Sequence, residues 1–307
     1  MKIICRAIFL LVLFLEPGFA YSVTLPGIPE FIDEMVAKHQ FRQDELTNVF
    51  ARAQHRPAVI EAISRPATIK PWLEYRAAFV NRKRIDAGLL FWNKYRHSLH
   101  RAEQKYGVPQ EIIVAVIGVE TLYGENVGKF RVLDALTTLA FDYPRRAEFF
   151  RMELENYLLL AREQQFDLLS IRGSYAGAMG IPQFMPSSYR KYAVDFNGNH
   201  RIDLLREDRD AIGSVANYLQ GYGWARNEPI TVQTTAENAD STPEKSARLV
   251  DFTVGQGKQY WLAHHNFEVI TRYNNSDFYA MSVFQLAEEL KAARRGRVGA
   301  GTHLTVP

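Results

Sequence analysis

The sequence predicts a mainly α-helical protein with one small β unit, which belongs to the α+β class. Apolar residues recur at helical spacing through most of residues 29–220. After Trp224 the pattern changes to short runs of β-branched and aromatic residues, and helical spacing returns at Ser276. The chain has 307 residues. That length is enough for about two domains with a buried core.

Apolar spacing predicts a series of helices before the β unit. Gly107 ends one of them and Pro109 begins the next, where the missing N–H of proline is harmless. The predicted helices cover residues 29–39, 43–53, 58–64, 75–106, 109–123, 132–141, 145–165 and 208–220. The predicted β runs cover residues 230–235, 249–254 and 260–273.

The same changes of pattern divide the chain into consecutive parts. Residues 21–108 belong to a helical domain, residues 109–227 form a core that carries the site motifs, and residues 228–275 form the β unit. A C-terminal helix covers residues 276–293. Residues 294–307 lack periodicity, which predicts a flexible tail.

Residues 1–20 have the pattern of a signal peptide for export. Lys2 and Arg6 precede an apolar run that ends at Leu15 and is too short to span a bilayer. Small residues then predict cleavage after Ala20, and an uncleaved apolar helix is the alternative. A lipid-modified cysteine would follow the apolar run. Because Cys5 precedes it, a lipoprotein anchor is not expected.

Composition excludes several classes of function. The 37 Lys and Arg residues nearly balance 34 Asp and Glu residues, which argues against a nucleic-acid binder. A single cysteine excludes an internal disulfide, and the eight histidines include no His-x-x-x-His pair of the kind that binds zinc on one helix. The chain has no Gly-x-Ser-x-Gly elbow and no Gly-Lys-Ser/Thr phosphate loop. The sequence therefore gives no support to a zinc site, to an acyl-transfer site or to a nucleotide site.

The predicted helix over residues 109–123 is almost entirely apolar until Glu120. This glutamate lies on the same helical stripe as Ile113 and Ile117. Desolvation on an apolar face disfavours the charged carboxylate and raises its pKa, as a general acid requires. Glu120 is therefore the candidate catalytic group. The alternative is a structural glutamate that pairs with an arginine or caps backbone groups.

Residues 173–189 are rich in glycine and other small residues, and they display Gln183, Phe184 and Met185 between two prolines. Amides hydrogen-bond sugar hydroxyls and aromatic faces stack on sugar rings, so this segment is predicted to line an oligosaccharide cleft. A glycine-rich connector without a ligand is the alternative.

Residues 195–210 space oxygen-bearing side chains like a calcium loop. The predicted ligands are Asp195, Asn197, Asn199, Arg201 and Asp210, with Glu207 and Asp208 as alternatives to the last carboxylate. The match is partial, because His200 replaces the usual glycine and Arg206 stands where the bidentate glutamate belongs. The alternative is a turn in which Asp and Asn side chains satisfy their own backbone.

Several motifs in order resemble the lytic murein transglycosylase B family over about residues 29–290. They are GVETLYG (118–124), VLDAL (132–136) with FDYPRR (141–146), AGAMGIPQFMPS (176–187) and TRYN (271–274). The resemblance implies a lysozyme-like α core, embraced by a larger helical domain and a small β domain.

The resemblance also implies a reaction. The family cleaves the β-1,4 bond between N-acetylmuramic acid and N-acetylglucosamine in peptidoglycan without water, leaving a 1,6-anhydro end. Glu120 matches the family's sole acid/base. Two alternatives remain at this point: a muramidase that hydrolyses the same bond, and a non-catalytic peptidoglycan-binding protein.

Further residues match positions that the family uses to bind the glycan. They are Tyr75, Arg145, Arg146, Ser174, Gln183, Phe184, Met185, Tyr218, Tyr273, Asn274 and Tyr279. For the two arginines, solvated positions at a helix start are the alternative. The resemblance implies no cofactor for the chemistry, with calcium in a structural role. The expected partners are peptidoglycan strands and other cell-wall synthesis and lysis enzymes, and the expected location is the periplasm.

Overall fold

The computed structural model describes residues 25–65, 70–236 and 247–301. The predicted signal peptide, residues 1–20, lies outside these ranges, as do residues 302–307. The described chain is mainly α-helical with a small sheet, as the sequence predicts. None of its helices combines the length and apolarity that a membrane span requires.

The helices follow in chain order. They are α1 Ile28–His39, α2 Gln43–Ala51, α3 Pro57–Ser64, α4 Trp72–Phe79, α5 Arg82–Lys94, α6 Arg96–Tyr106, α7 Gln110–Thr121, α8 Val132–Asp142, α9 Ala147–Gln164, α10 Pro186–Tyr192, α11 Asp208–Gly221, α12 His265–Thr271 and α13 Asp277–Gly301. A 3-10 turn, Pro144–Arg146, connects α8 to α9.

Two antiparallel sheets complete the described fold. The first pairs β1 Phe130–Arg131 with β2 Arg172–Gly173. The second has the order β3-β5-β4 and consists of β3 Thr231–Thr234, β4 Arg248–Val254 and β5 Gly257–Ala263. The predicted β unit therefore exists, and its central strand is the last one in sequence.

The predicted helix over residues 75–106 was wrong in its continuity, because three helices occupy this stretch. The backbone leaves helical geometry at Val80, and Asn81 then caps the next helix by accepting a hydrogen bond from the Arg84 N–H at 3.0 Å. A second break lies at Tyr95. A side chain that caps backbone groups can end one helix and begin the next at a point that the spacing of apolar residues does not reveal.

The predicted β run over residues 260–273 was half wrong. Strand β5 ends at Ala263, and α12 then buries Phe267 and Ile270, which are three positions apart on one helical face. The last helix was predicted to end at residue 293, but α13 continues to Gly301. Residues 294–301 are thus helical, and the remainder of the predicted tail is not described.

Helix α7 lies at the centre of the core. Its residues from Ile112 to Val119 are all buried, and it packs against α5, α6, α11 and α13. A helix that is apolar on every side is stable only when neighbours cover it on every side. The position of α7 is therefore set by several elements together.

Candidate active site

Glu120 lies in the last turn of α7, where the chain turns sharply. Leu122, Tyr123 and Gly124 follow with φ angles of 51°, 60° and 91°, all in the left-handed region. Such a run is costly for residues other than glycine and is commonly found at functional sites. The turn brings the end of α7 to the surface of the core without continuing the helix.

Thr121 connects this turn to the glycine-rich segment. Its hydroxyl donates a hydrogen bond to the Ile181 carbonyl at 2.7 Å and accepts one from the Gly124 N–H at 2.9 Å. Thr121 is almost completely buried. Because this buried hydroxyl both donates and accepts a hydrogen bond, it fixes the position of the turn after α7 relative to the glycine-rich segment.

The Glu120 carboxyl is desolvated and has one phenol as a partner. The Tyr279 hydroxyl on α13 donates a hydrogen bond to Glu120 Oε1 at 2.6 Å. Burial raises the pKa of Glu120 to about 7, and the bond from Tyr279 opposes that rise. Near neutral pH the group is therefore close to its midpoint, so it can give and take a proton.

Other tyrosines surround this carboxyl. Burial raises the pKa of Tyr75 to about 12, and the negative charge of Glu120 contributes to the rise. The phenols of Tyr218 and Tyr273 likewise have raised pKa values, first from burial and also from the charge of Glu120. All these phenols remain protonated at neutral pH and can serve as neutral hydrogen-bond donors.

Four aromatic rings form a continuous row beside Glu120. The centroid of Tyr279 lies 6.3 Å from that of Tyr273, and Tyr273 lies 4.8 Å from Tyr218. Phe184 packs against both of the latter rings, at 5.3 Å from Tyr218 and 5.8 Å from Tyr273. The structure thus brings together five predicted residues around Glu120: Tyr75, Phe184, Tyr218, Tyr273 and Tyr279.

Backbone acceptors hold two of these phenols in place. The Tyr273 hydroxyl donates to the Pro182 carbonyl at 2.6 Å, and the Tyr218 hydroxyl donates to the Arg272 carbonyl at 2.7 Å. These bonds connect the glycine-rich segment, α11 and the turn before α13. The row of Phe184, Tyr218, Tyr273 and Tyr279, called the aromatic wall below, is therefore built before any ligand binds.

The glycine-rich segment folds on itself. Gln183 has a φ angle of 51°, and its amide nitrogen donates to the Val127 carbonyl at 3.0 Å and to the Gly180 carbonyl at 2.8 Å. At Gly180 a Cβ would lie 2.3 Å from the Leu204 carbonyl oxygen, so only glycine fits there. Gln183 thereby ties the segment to itself at Gly180 and to the neighbouring chain at Val127.

Ser174 and Met185 lie at the two ends of this segment. The hydroxyl oxygen of Ser174 accepts the N–H groups of Ala176 at 3.2 Å and Ala178 at 3.1 Å. Within the described residues, the recorded bonds of Ser174 all stay in that turn. Met185 is half-buried and directly precedes α10.

A family model described as a transglycosylase SLT domain matches residues 25–288. The chain belongs to this transglycosylase family. It is 43% identical over 303 residues to the membrane-bound lytic murein transglycosylase B of Escherichia coli, covering 88% of this chain and 84% of that protein.

Solved structures agree. The soluble lytic transglycosylase SltB1 of Pseudomonas aeruginosa is 47% identical, with a TM-score of 0.82 over 88% of this chain and 99% of that one. The Escherichia coli lytic transglycosylase Slt35 in complex with calcium is 43% identical, with a TM-score of 0.81 over 88% of this chain and 94% of that one. The lysozyme-like fold class is therefore confirmed, and the chain is a lytic transglycosylase acting on peptidoglycan.

Three predicted binding residues of this transglycosylase stand apart from the aromatic wall. Arg145, Arg146 and Asn274 are exposed, and in the described ranges none has a recorded contact with Glu120. The Arg146 guanidinium lies 4.2 Å from the ring centroid of Phe149. These residues offer charge and amide groups at the surface, so their contribution to glycan binding stays a prediction.

The loop predicted to bind calcium forms a network with its own backbone. Asp195 accepts the N–H groups of Gly198 and His200, each at 2.7 Å, and Asn199 accepts that of Arg201 at 2.9 Å. Asp210 is completely buried and accepts three N–H groups of the loop, those of Phe196, Asn197 and Asp203. These bonds have the pattern of a turn in which Asp and Asn side chains satisfy their own backbone, which was the alternative to a calcium site.

No group of three His, Cys, Asp or Glu residues that could hold a metal ion is found among the described residues. In this loop Asp195 is a half-buried carboxylate at its start, and the Asn197 amide donates to Glu207 Oε2 at 3.4 Å. The loop carboxylates accept N–H groups of the loop itself, so calcium binding there stays a prediction and enters no step of the chemistry below.

The sequence did not single out Glu153, a buried glutamate of this transglycosylase. It is 1% exposed on α9 and accepts the Ser187 N–H at 2.9 Å and the Ser187 hydroxyl at 2.6 Å. Burial raises its pKa, and the bonds from Ser187 oppose the rise. The signal was available, since Glu153 shares a helical face with Phe150 and Tyr157 in the same way that Glu120 shares one with Ile117.

Proposed function

We propose that Glu120 is the single acid/base of a non-hydrolytic cleavage of peptidoglycan. The bond cleaved is the β-1,4 bond between N-acetylmuramic acid and N-acetylglucosamine, and the product carries a 1,6-anhydro end. One observation carries this proposal: the Glu120 carboxyl is desolvated, has a pKa of about 7 and is held by the Tyr279 hydroxyl. The proposal rests also on membership of the family.

In the first step the protonated Glu120 donates its proton to the glycosidic oxygen, and the bond from this oxygen to C1 of the muramic residue breaks. In the second step the C6 hydroxyl of the same residue attacks C1. Its proton passes to the Glu120 carboxylate, which restores the starting acid. No water is consumed, and every proton is accounted for by one carboxyl group.

The charges around the site favour this scheme over hydrolysis by two carboxylates. Glu120 is the only carboxylate among the described groups that raise the pKa of Tyr75 and Tyr273. A hydrolase of the two-carboxylate type needs a second carboxyl within roughly 5–9.5 Å of the first. The neighbours of Glu120 are neutral phenols, which bind sugars but cannot act as a carboxylate nucleophile.

The test is mass spectrometry of the soluble fragments released from purified peptidoglycan, with Glu120→Gln measured in parallel. We expect fragments one water lighter than hydrolysis products, and none from the variant. Hydrated reducing ends would instead identify a muramidase. A folded wild-type protein that binds peptidoglycan but releases nothing would identify a binding protein.

We propose further roles for the residues around this site. Tyr75 and Tyr273 are half-buried and suited to contact sugar rings next to the bond that is cleaved, and the buried rings of Phe184 and Tyr218 complete this binding surface from behind. Ser174, Gln183 and Met185 belong to the glycine-rich segment that also carries Phe184, and we propose that they line the glycan cleft with it. The exposed guanidinium groups of Arg145 and Arg146 suit lactyl or peptide carboxylates of the glycan, and Asn274 suits its amides or hydroxyls.

We also propose a periplasmic location after removal of residues 1–20, with cell-wall synthesis and lysis enzymes as partners. Mass spectrometry of the mature N-terminus checks the first statement, and a chain beginning at Tyr21 is expected.

For the loop over residues 195–210 we propose a weak calcium site at most. A melting temperature that rises with calcium in the millimolar range supports binding, and an unchanged one contradicts it.

A further inference from the structure

The aromatic row beside Glu120 continues past Tyr218 to the protein surface. The ring centroid of Tyr222 lies 4.7 Å from that of Tyr218 and 5.4 Å from that of Tyr192. Tyr218 and Tyr192 are buried, at 5% and 6% exposure, whereas Tyr222 is 39% exposed. The row therefore begins at the proposed acid and ends in an aromatic side chain that solvent reaches.

Tyr222 is held in position before any ligand arrives. Its N–H donates to the Tyr218 carbonyl at 3.1 Å and to that of Leu219 at 3.2 Å, which ends α11. The preceding Gly221 leaves room for Tyr192, because a Cβ there would lie 2.6 Å from a carbon of that ring. These bonds fix the backbone at Tyr222, and the packing of its ring against Tyr218 and Tyr192 restrains the side chain, so little conformational entropy is lost on binding.

The surroundings of Tyr222 match the chemistry of an amino-sugar polymer. An exposed aromatic face packs against the apolar face of a sugar ring, and its hydroxyl can bond to the sugar's polar groups. The ammonium of Lys191 lies 4.9 Å from the ring centroid of Tyr192, and Lys191 is exposed. A positive charge at this place suits the lactyl or peptide carboxylates that the glycan carries.

We propose that Tyr222 and Lys191 form an outer glycan subsite of this transglycosylase. Tyr222 stacks on a sugar of the strand that is not itself cleaved, and Lys191 pairs with a carboxylate on that strand. The inference rests on the proposed function and extends it, because it makes affinity depend on the length of the glycan and on its carboxylates.

The test is calorimetric binding of peptide-free glycan oligosaccharides of increasing length, from tetrasaccharide to octasaccharide, in the Glu120→Gln background. Because that variant does not cleave the ligand, binding is measured even if the wild-type reaction proves to be hydrolysis. Tyr222→Ala is expected to reduce the octasaccharide affinity relative to the tetrasaccharide affinity by about ten-fold, the effect of one aromatic contact. Tyr222→Phe keeps the ring and is expected to hold that ratio within about two-fold.

Two controls separate a subsite from a structural effect. Leu249→Ala on β4 removes an apolar side chain of similar exposure, 42%, and should leave the ratio unchanged. Lys191→Gln should weaken binding of strands that carry carboxylates more than that of peptide-free strands in which the lactyl carboxylates are reduced. An equal loss at all lengths in Tyr222→Ala, or no loss at any length, overturns the proposal. Failure of the proposed function has a different signature, since it concerns the cleavage products of the wild-type protein.

Discussion

Two glutamates of this transglycosylase are removed from water, and their surroundings differ. Burial raises the pKa of both Glu120 and Glu153. Glu153 is 1% exposed and accepts two hydrogen bonds from Ser187, in the first turn of α10. Glu120 is partly exposed and accepts its recorded side-chain bond from Tyr279.

The comparison separates burial from the catalytic role that we propose for Glu120. Two donors on Glu153 occupy both of its oxygens and satisfy an otherwise unpaired N–H at the start of α10. Its role is that of a helix cap supplied from another helix. At Glu120 one oxygen accepts the bond from Tyr279, and the residue, half-buried as a whole, adjoins the aromatic wall. The two glutamates therefore differ in the number of protein donors that their carboxyl oxygens accept.

The largest expected effect is on turnover. Glu120→Gln keeps an oxygen for the Tyr279 bond but cannot transfer a proton, so we expect a loss of roughly 10²–10⁴-fold or more. Glu153→Gln, the matched change at the second glutamate, should retain turnover within about ten-fold of wild type, provided that it folds. Release of anhydro fragments is the measurement. Equal losses in two folded variants would remove the distinction between the glutamates.

The next effect concerns the pH dependence of stability. Between its usual pKa of 4.5 and its folded value of about 7, Glu120 holds a proton in the folded state that the unfolded state has released. The free energy of unfolding therefore falls as pH rises through this window, by up to about 3 kcal/mol. Glu120→Gln removes this contribution.

The variant should accordingly melt above wild type at about pH 8, and the difference should close near about pH 4. Thermal unfolding across this range is the measurement, and Glu148→Gln, an exposed change on α9, should keep the wild-type slope. If the difference in melting temperature between Glu120→Gln and wild type does not vary with pH, burial of this carboxyl does not make the stability depend on pH.

The third prediction addresses the cap. Glu153→Ala leaves the Ser187 N–H and hydroxyl without their acceptor at the buried start of α10, so we expect the free energy of unfolding to fall by about 1–3 kcal/mol. Urea unfolding measures it. Glu153→Gln, which keeps one acceptor oxygen, should lose less. If Glu153→Ala is as stable as wild type, the carboxyl does not cap α10.

The smallest effect is expected from Tyr279→Phe, which removes the hydroxyl donated to Glu120. This bond lowers the pKa of Glu120, so its loss should raise that pKa above about 7. Since the first step needs the protonated acid, kcat/KM should decline at a higher pH in the variant than in wild type. A pH–rate profile is the measurement. A decline at the same or a lower pH would mean that Tyr279 does not tune the acid.

The sequence predicts the position of Glu120 well, because the stripe with Ile113 and Ile117 is local. Its partner Tyr279 lies 159 residues away, so only the resemblance pointed to it. The aromatic wall is likewise assembled from separate helices. Local patterns also missed the break at Asn81 and the change from strand to helix at His264, since each depends on capping or on packing with distant residues.

The burial of helix α7 determines when its backbone becomes exposed to solvent. Because four helices cover it on all sides, its amide hydrogens can exchange with solvent only when the core itself unfolds. The proposed acid is thus attached to the last segment expected to fluctuate, whereas the exposed Tyr222 at the other end of the row borders solvent. Hydrogen exchange should rank α7 among the slowest of the described segments, so the proposed acid is expected to keep its position when the surface around it fluctuates.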